Sequence, residues 1–383
     1  MRGLRARTPG GRFPLAAAAA LVLAAVSVAV LMPGLAGFAS SGELTYRVFV
    51  PQTAKDAPGA PGVRVLPPAE GVYHSAFPDF GGEEDRVTAG AISSFTALAG
   101  KPIAWAYFSD NWFDGISFPA ASARAAHDAG AIPFIRMMPR STWDEEGPDP
   151  VYSLAAIAGG QFDDSLRQWA RDAKAAGFPL MVEFGTEVNG DWFPWSGVYN
   201  GGAGLGPARF QAAYRHIIDI FRAEGVNNIT WVFHVDAQRS PEAAWNSMSA
   251  YYPGDSYIDW LGLSAYGAQA PGEDWQTFSE VMDIGYPELA ALSAVKPVAV
   301  LEFGVTEAGS PAAKAKWIGD AFAAVRSGRY PRVRAVSYWH ENWEDDGVQS
   351  RLRIDSSAAA LQAYRDAVAG PYFVSSVAVG PPP

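Results

Sequence analysis

Two glutamates carry the first chemical signal in this sequence. Glu187 lies in "GTEVNGDWFPWSG", residues 185–197, where a carboxylate stands among Trp192, Phe193 and Trp195 and glycines loosen the backbone. Glu302 ends the apolar run "VAVLEFG". A charge closing an otherwise apolar strand needs a reason to be there. Two carboxyl groups roughly 5 to 5.5 Å apart suit glycosidic bond cleavage with retention, one protonating the leaving oxygen while the other attacks the anomeric carbon. Aromatic faces beside them would stack on the apolar C–H faces of sugar rings.

Such a pair needs a scaffold that brings distant segments together. From Gly71 onward, short apolar runs rich in aromatic and β-branched residues alternate with Ala-rich amphipathic stretches of helical length. Eight runs are read, beginning at Gly71, Pro102, Ala131, Pro179, Asn228, Asp259, Lys296 and Arg334. Helices are predicted between them, among them "DDSLRQWARDAKAAG" and "PARFQAAYRHIIDIFRAEG", ended by Gly177 and Gly225. Eight β-α pairs predict an α/β fold, a (β/α)8 TIM barrel, and no GxGxxG or GxxxxGK[ST] motif argues for an open doubly wound sheet.

In a barrel of this kind, chemistry gathers at the C-terminal ends of the strands. The polar residues expected there are His74, Asp110, Arg136, Glu183, Glu187, His234, Asp236, Tyr266, Glu302, His340 and Glu341. Glu187 follows the fourth run and Glu302 ends the seventh, so the two face each other across the mouth. Arg136 and Glu183 share inward parity on neighbouring strands and are predicted to form a buried ion pair. Residues 141–161 and 196–208 read as solvated loops, the second mobile, with Trp143 on the first as a wall of the site.

Composition limits the partners. The chain has 383 residues, 49% hydrophobic, with 29 Lys+Arg against 40 Asp+Glu and a net charge of -11, which excludes a basic stripe for nucleic acid. Zero cysteines exclude disulfides and thiolate metal sites, and the five histidines show no HExxH pairing. No metal and no cofactor are expected, and a monomer is. Arg2, Arg5, Arg7 and Arg12 precede an apolar run from Leu15 to Leu31, so residues 1–40 read as a signal peptide, cleavable near Gly37 or Ala39, or as an N-terminal membrane anchor. Both place the rest of the chain outside the cytoplasmic membrane. A linker is expected over 41–70, the folded domain over 71–370 and a tail over 371–383.

Three separated motifs, "EVNGDWFPW", "YYPGDSYIDWLGLSAYG" and "KPVAVLEFG", together resemble the pattern of glycoside hydrolase family 26, the β-mannanases and related endo-glycanases. The resemblance covers roughly residues 70 to 365. It implies that Glu187 is the acid/base and Glu302 the nucleophile, with Tyr266 beside the nucleophile, Trp192 beside the acid/base and Trp339 as the floor. Trp195, His340 and Trp143 join these as expected sugar contacts. The family histidine before the acid/base is replaced by Thr186, and the arginine three residues earlier still by Glu183. Thr186 supplies a hydrogen bond but no titratable partner, leaving an ionised Glu302 to raise the acid. The expected substrate is a β-linked polysaccharide cut internally. The alternative is a surface-anchored barrel that binds or guides an exopolysaccharide without efficient hydrolysis.

Overall fold

The computed structural model describes residues 62–381 except 144–146, 309 and 346. The expected signal or anchor over residues 1–40 lies outside the described residues. Eight parallel strands close a barrel: β1 (Val72–Phe77), β2 (Trp105–Asn111), β3 (Ile132–Met138), β4 (Leu180–Phe184), β5 (Ile229–Asp236), β6 (Trp260–Ser264), β7 (Val298–Phe303) and β8 (Val333–Trp339), with β1 pairing back onto β8. The eight apolar runs read from the sequence are these strands.

Strand alternation divides the core in two. Tyr73, Trp105, Phe134, Met181, Val232, Trp260 and Ala299 point inward and fill the barrel, whereas Ala106, Ile135, Val182, Phe233, Leu261 and Val300 pack outward under the helices. The outer ring consists of α1 (Ala89–Ala99), α2 (Ala120–Asp128), α3 (Asp163–Ala176), α4 (Gly202–Ala223), α5 (Met248–Tyr251), α6 (Phe278–Ala291), α7 (Pro311–Arg326) and α8 (Ala358–Val368). Their ends follow local chemistry. Thr88 caps α1, Thr277 and Glu280 form a capping box on α6, and Gly177 ends α3 in the left-handed region with φ 71°. The fifth crossover departs from the regular pattern: α5 is a single turn.

Strand β7 breaks alternation where it matters. Leu263 pairs with Val300 but Ser264 pairs with Glu302, and the register against β8 shifts between Val300 and Phe303. One residue is therefore inserted. Leu301 belongs to the interior cluster and Phe303 to the outer one, so the bulge turns Glu302 inward beside Leu301.

Four expectations change on contact with the structure. Residues 62–70, expected as the end of a linker, and 371–381, expected as a tail, together seal the base of the barrel. The pair Arg64–Val65 runs antiparallel to Val379–Gly380, Val65 N donates to Thr230 Oγ1 at 2.7 Å, and Trp260 Nε1 donates to Val65 O at 2.9 Å. Buried apolar residues such as Val65 and Phe373 fix both segments. Nor is 196–208 loose, since α4 begins at Gly202, and Ser196, Gly197, Asn200 and Gly206 are buried. Likewise 141–161 carries the short helix Leu154–Ala158, and Asp149 accepts bonds from the backbone N–H groups of Ser141, Val151 and Tyr152.

The loop after β4 is pressed against α4 and α5 so closely that a side chain at either of two glycines would collide. A Cβ on Gly206 would lie 2.3 Å from Gly197 O, and one on Gly197 would lie 1.9 Å from Tyr251 Oη. Gly206→Ala should therefore lower stability by about 1–3 kcal/mol, the cost of forcing extra volume into a packed contact. Chemical denaturation of the variant checks this; an unchanged midpoint would show that the loop gives way freely.

Candidate active site

Glu187 reaches the mouth through a strained turn. Gly185 ends β4 with φ 61°, and Glu187 is the one non-glycine residue with positive φ among the described residues, at 51°. Such a conformation costs of order 1–3 kcal/mol and persists only where surroundings impose it. Here Glu187 N donates to His234 O at 3.2 Å, Gly190 N donates to Glu187 O at 2.8 Å, and Trp195 Nε1 donates to Thr186 O at 2.7 Å. Asn189 ties the turn to β5, its Nδ2 donating to Asp236 O at 2.8 Å and its Oδ1 accepting from Asp236 N at 2.9 Å. The Glu187 carboxylate then accepts from Trp192 Nε1 at 2.7 Å.

Across the mouth, Glu302 is held by three donors. Tyr266 Oη donates to Oε2 at 3.0 Å, Tyr107 Oη approaches Oε1 at 3.2 Å, and Arg136 Nη2 lies 3.4 Å from Oε1. Burial raises the Glu302 carboxyl to about 7; Arg136 opposes this and the negative charge of Glu187 adds to it. Glu187 and Glu302 therefore feel one another electrostatically.

Arg136 is the common cation of the interior. Besides Glu302 it faces Glu84 at 3.4 Å and Glu183 at 3.6 Å, with its guanidinium over the rings of Tyr107 and Trp339 at 5.3 and 5.2 Å. Burial works against its charge, but Glu302, Tyr107, Glu84 and Glu183 together outweigh that and hold it cationic. The predicted Arg136–Glu183 pair is present, but it is one limb of a larger cluster. Glu183 also accepts from Tyr107 Oη at 2.6 Å and lies 3.2 Å from His234 Nδ1.

The other expected residues divide. Trp339 is buried inside the barrel at the end of β8, stacked on Phe77 with ring centroids 4.0 Å apart. Trp143 is 50% exposed at the rim, packed on Phe113 at 4.6 Å and on the buried Arg140 guanidinium at 4.4 Å. Trp195 is not a sugar contact. It is 1% exposed and stacks on Phe193 beneath the turn, because its indole N–H is needed to hold Thr186 O. His340 also leaves the site. It follows the inward Trp339 and so points outward, packing edge-on to Phe95 at 5.0 Å while Nδ1 accepts from Ile354 N at 3.0 Å. Burial and Arg353 push it down to about 3. His74 and Asp110 are turned outward as well, bonded to Tyr364 Oη at 2.8 Å and Trp169 Nε1 at 3.1 Å.

The sequence reading missed Tyr107 and Glu84. Tyr107 was detectable, since "WAYFS" alternates Trp105, Tyr107 and Ser109 on the inward side. Glu84 was not: it enters from the loop after β1, where nothing in "GGEEDR" distinguishes it from its neighbours. Buried Glu341 is raised well above the ordinary carboxyl range by burial, Glu84 and Asp79. Among the described residues no group of three His, Asp or Glu side chains is placed to hold a metal ion.

The fold and site define a (β/α)8 barrel whose mouth opposes two buried carboxylates, one after β4 and one at the end of β7. Residues 159–300 match the model of glycosyl hydrolase family 26. Endoglucanase H of Acetivibrio thermocellus is 34% identical over 73% of this chain and 29% of that protein. A mannan endo-1,4-beta-mannosidase of Bacillus subtilis is 28% identical over 44% of this chain and 40% of that protein. The chain thus spans less than half the length of either relative. Among solved structures, the catalytic domain of an endo-beta-1,4-mannanase from Bacillus sp. JAMB-750 superposes with a TM-score of 0.59 at 18% identity, covering 80% of this chain and 88% of that one. A modular endo-beta-1,4-mannanase from Cellulomonas fimi gives 0.57 at 19% identity, covering 80% and 73%.

Glu183 is wholly buried among charged and hydroxyl partners. Glu183→Ala should cost about 3–5 kcal/mol of stability, since it removes one partner from a buried ionic cluster. Calorimetric unfolding measures this, and an unchanged melting temperature would mean that Glu183 contributes no net pairing.

Proposed function

We propose that this protein is an endo-acting retaining glycoside hydrolase that cleaves a β-linked polysaccharide, a mannan or a related β-glycan, by double displacement. The observation that carries the proposal is the unequal support of the two carboxylates. Glu302 is clamped by Tyr266, Tyr107 and Arg136, which suits a group that must stay aimed at one carbon. Glu187 takes its bond from an indole N–H on a glycine-flanked turn, which suits a group that exchanges protons.

In the first step Glu187 gives its proton to the glycosidic oxygen as a Glu302 oxygen bonds to the anomeric carbon and the C–O bond breaks. In the second, water attacks that carbon, Glu187 takes its proton, and the ester to Glu302 is released. Trp192 would offer its ring at the centre and Trp143 a further platform at the rim. The names of the relatives support both a β-glucan and a β-mannan as substrate. The Arg-flanked apolar run near the N-terminus supports export, to act outside the cytoplasmic membrane on a polymer too large to enter. Among the described residues no helix is long and apolar enough to cross a membrane.

Incubating the protein with mannan, glucomannan, mixed-linkage glucan, β-1,4-glucan and xylan, then resolving products by mass, should give internal cleavage of at least one. Binding without cleavage on every polymer would favour the non-hydrolytic barrel. Glu302→Ala should abolish turnover. Glu187→Ala should lower activity on polysaccharide by about 10²–10⁴-fold yet still be glycosylated by a dinitrophenyl glycoside. Azide should then release a β-glycosyl azide from the Glu187 variant; an α-azide from it would reverse the two roles.

The pH profile follows from Glu302. A nucleophile must be ionised, and this carboxyl is raised to about 7, so kcat/KM should fall as pH drops through that value, while the need for a proton on Glu187 sets the alkaline limb. The acid limb belongs to the interacting pair rather than to one residue. Arg136→Met removes a charge that favours ionisation and should move the limb to higher pH; an acid limb near 4 in the unmodified protein would contradict the burial argument.

A further inference from the structure

Strand β5 carries His234 into the barrel beneath both carboxylates, with its ring fully enclosed. Nε2 lies 2.8 Å from Ser264 Oγ. Nδ1 lies 2.7 Å from Thr186 Oγ1, 3.1 Å from Tyr107 Oη and 3.2 Å from a Glu183 oxygen. The His234 carbonyl accepts the Glu187 amide at 3.2 Å. One residue thus touches the turn that presents Glu187 and the phenol that reaches Glu302.

We propose that His234 is a positioning residue that couples Glu187 and Glu302, holding the Glu187 turn through Thr186 and the main chain and orienting the Tyr107 hydroxyl toward the carboxylates. The proposal rests on the reading of Glu187 and Glu302 as the reacting pair.

The argument is one of donors and charge. Tyr107 has a single hydrogen and three neighbours that could take it: Glu183 at 2.6 Å, His234 Nδ1 at 3.1 Å and Glu302 at 3.2 Å. A bare Nδ1 competes for that hydrogen, whereas a protonated Nδ1 cannot accept it and leaves it to a carboxylate. The same proton gives Thr186 Oγ1 or Glu183 a charge-assisted bond. The surroundings favour the protonated ring. Facing it are Glu183 from β4, Tyr107 from β2, Glu302 from β7 and Glu187 from the turn, with Arg136 of β3 beyond Glu183 and Ser264 the neutral partner from β6. Burial opposes the charge, but Glu183, Glu302 and Glu187 outweigh it and raise the imidazole above its usual range.

His234→Asn keeps a polar group near Nδ1 but removes the charge and the bond to Ser264. It should lower kcat roughly ten- to a hundredfold on polysaccharide while KM stays within about twofold, the pattern of an effect felt in the transition state. The acid limb of kcat/KM should rise by roughly half a pH unit or more, because a charge favouring ionised Glu302 is lost. Thr186→Val should reproduce part of the loss on polysaccharide and little of it on a dinitrophenyl glycoside, while Thr186→Ser restores activity. Unaltered kcat and limb in His234→Asn, with Glu302→Ala inactive, would overturn the positioning role and leave the reaction assignment standing. Full activity in Glu302→Ala would overturn that assignment instead. Nitrogen NMR of the unmodified protein tests the same idea without a substitution: both His234 ring nitrogens should hold their protons to a higher pH than a free imidazole does, and loss of the charge at or below the free value would overturn the proposal.

Discussion

Everything at the mouth of this barrel depends on a single guanidinium buried among carboxylates. Arg136 faces Glu84, Glu183 and Glu302 from one strand, and without it three acids would share an enclosed volume with only the His234 imidazole to offset them. Breaking such a cluster is far more costly than a surface pair, because what remains is a charge that water cannot reach. The position of Arg136 also explains the aromatic lining. Tyr107 and Trp339 present ring faces to the cation and wall it in. Charge balance and shape are set by the same residue.

The barrel was legible because its strands are buried on both sides and read as apolar runs at regular spacing. The pairing of Arg136 with Glu183 was legible from parity. Parity also misled. Taken strictly, it turns Glu302 outward with Val300, and the inserted residue in β7 that brings it inward leaves no mark in "VAVLEFG". Trp195 and His340 were misjudged for a related reason. Closeness in sequence to a glutamate or a tryptophan does not fix the side on which a ring lies, and both rings went to structural bonds. The base of the barrel was missed because its two halves, near residues 65 and 380, are each too short to show a pattern and become strands only by meeting.

The site has also redistributed its polar groups. No imidazole precedes the acid/base candidate in the chain, yet one reaches Thr186 from β5, and the cation comes from β3 while β4 contributes an acid. A barrel mouth permits this exchange because neighbouring strands deliver side chains to one small volume, and chemistry responds to where a group arrives rather than to the strand that carries it. The strained backbone at Glu187 fits the same picture. Its left-handed conformation is sustained by bonds from β5 and from the indole of Trp195, so the turn is held by the barrel rather than by its own sequence.

The joined ends at the base give the molecule a direction. Residues 64 and 65 meet 379 and 380 where the strands begin, so the chain enters and leaves at one pole while the carboxylates open at the other. The described chain therefore begins and ends at the pole opposite the opening. The contacts that hold the two ends of the domain together thus take no part in the mouth, and changes at one pole leave the other intact.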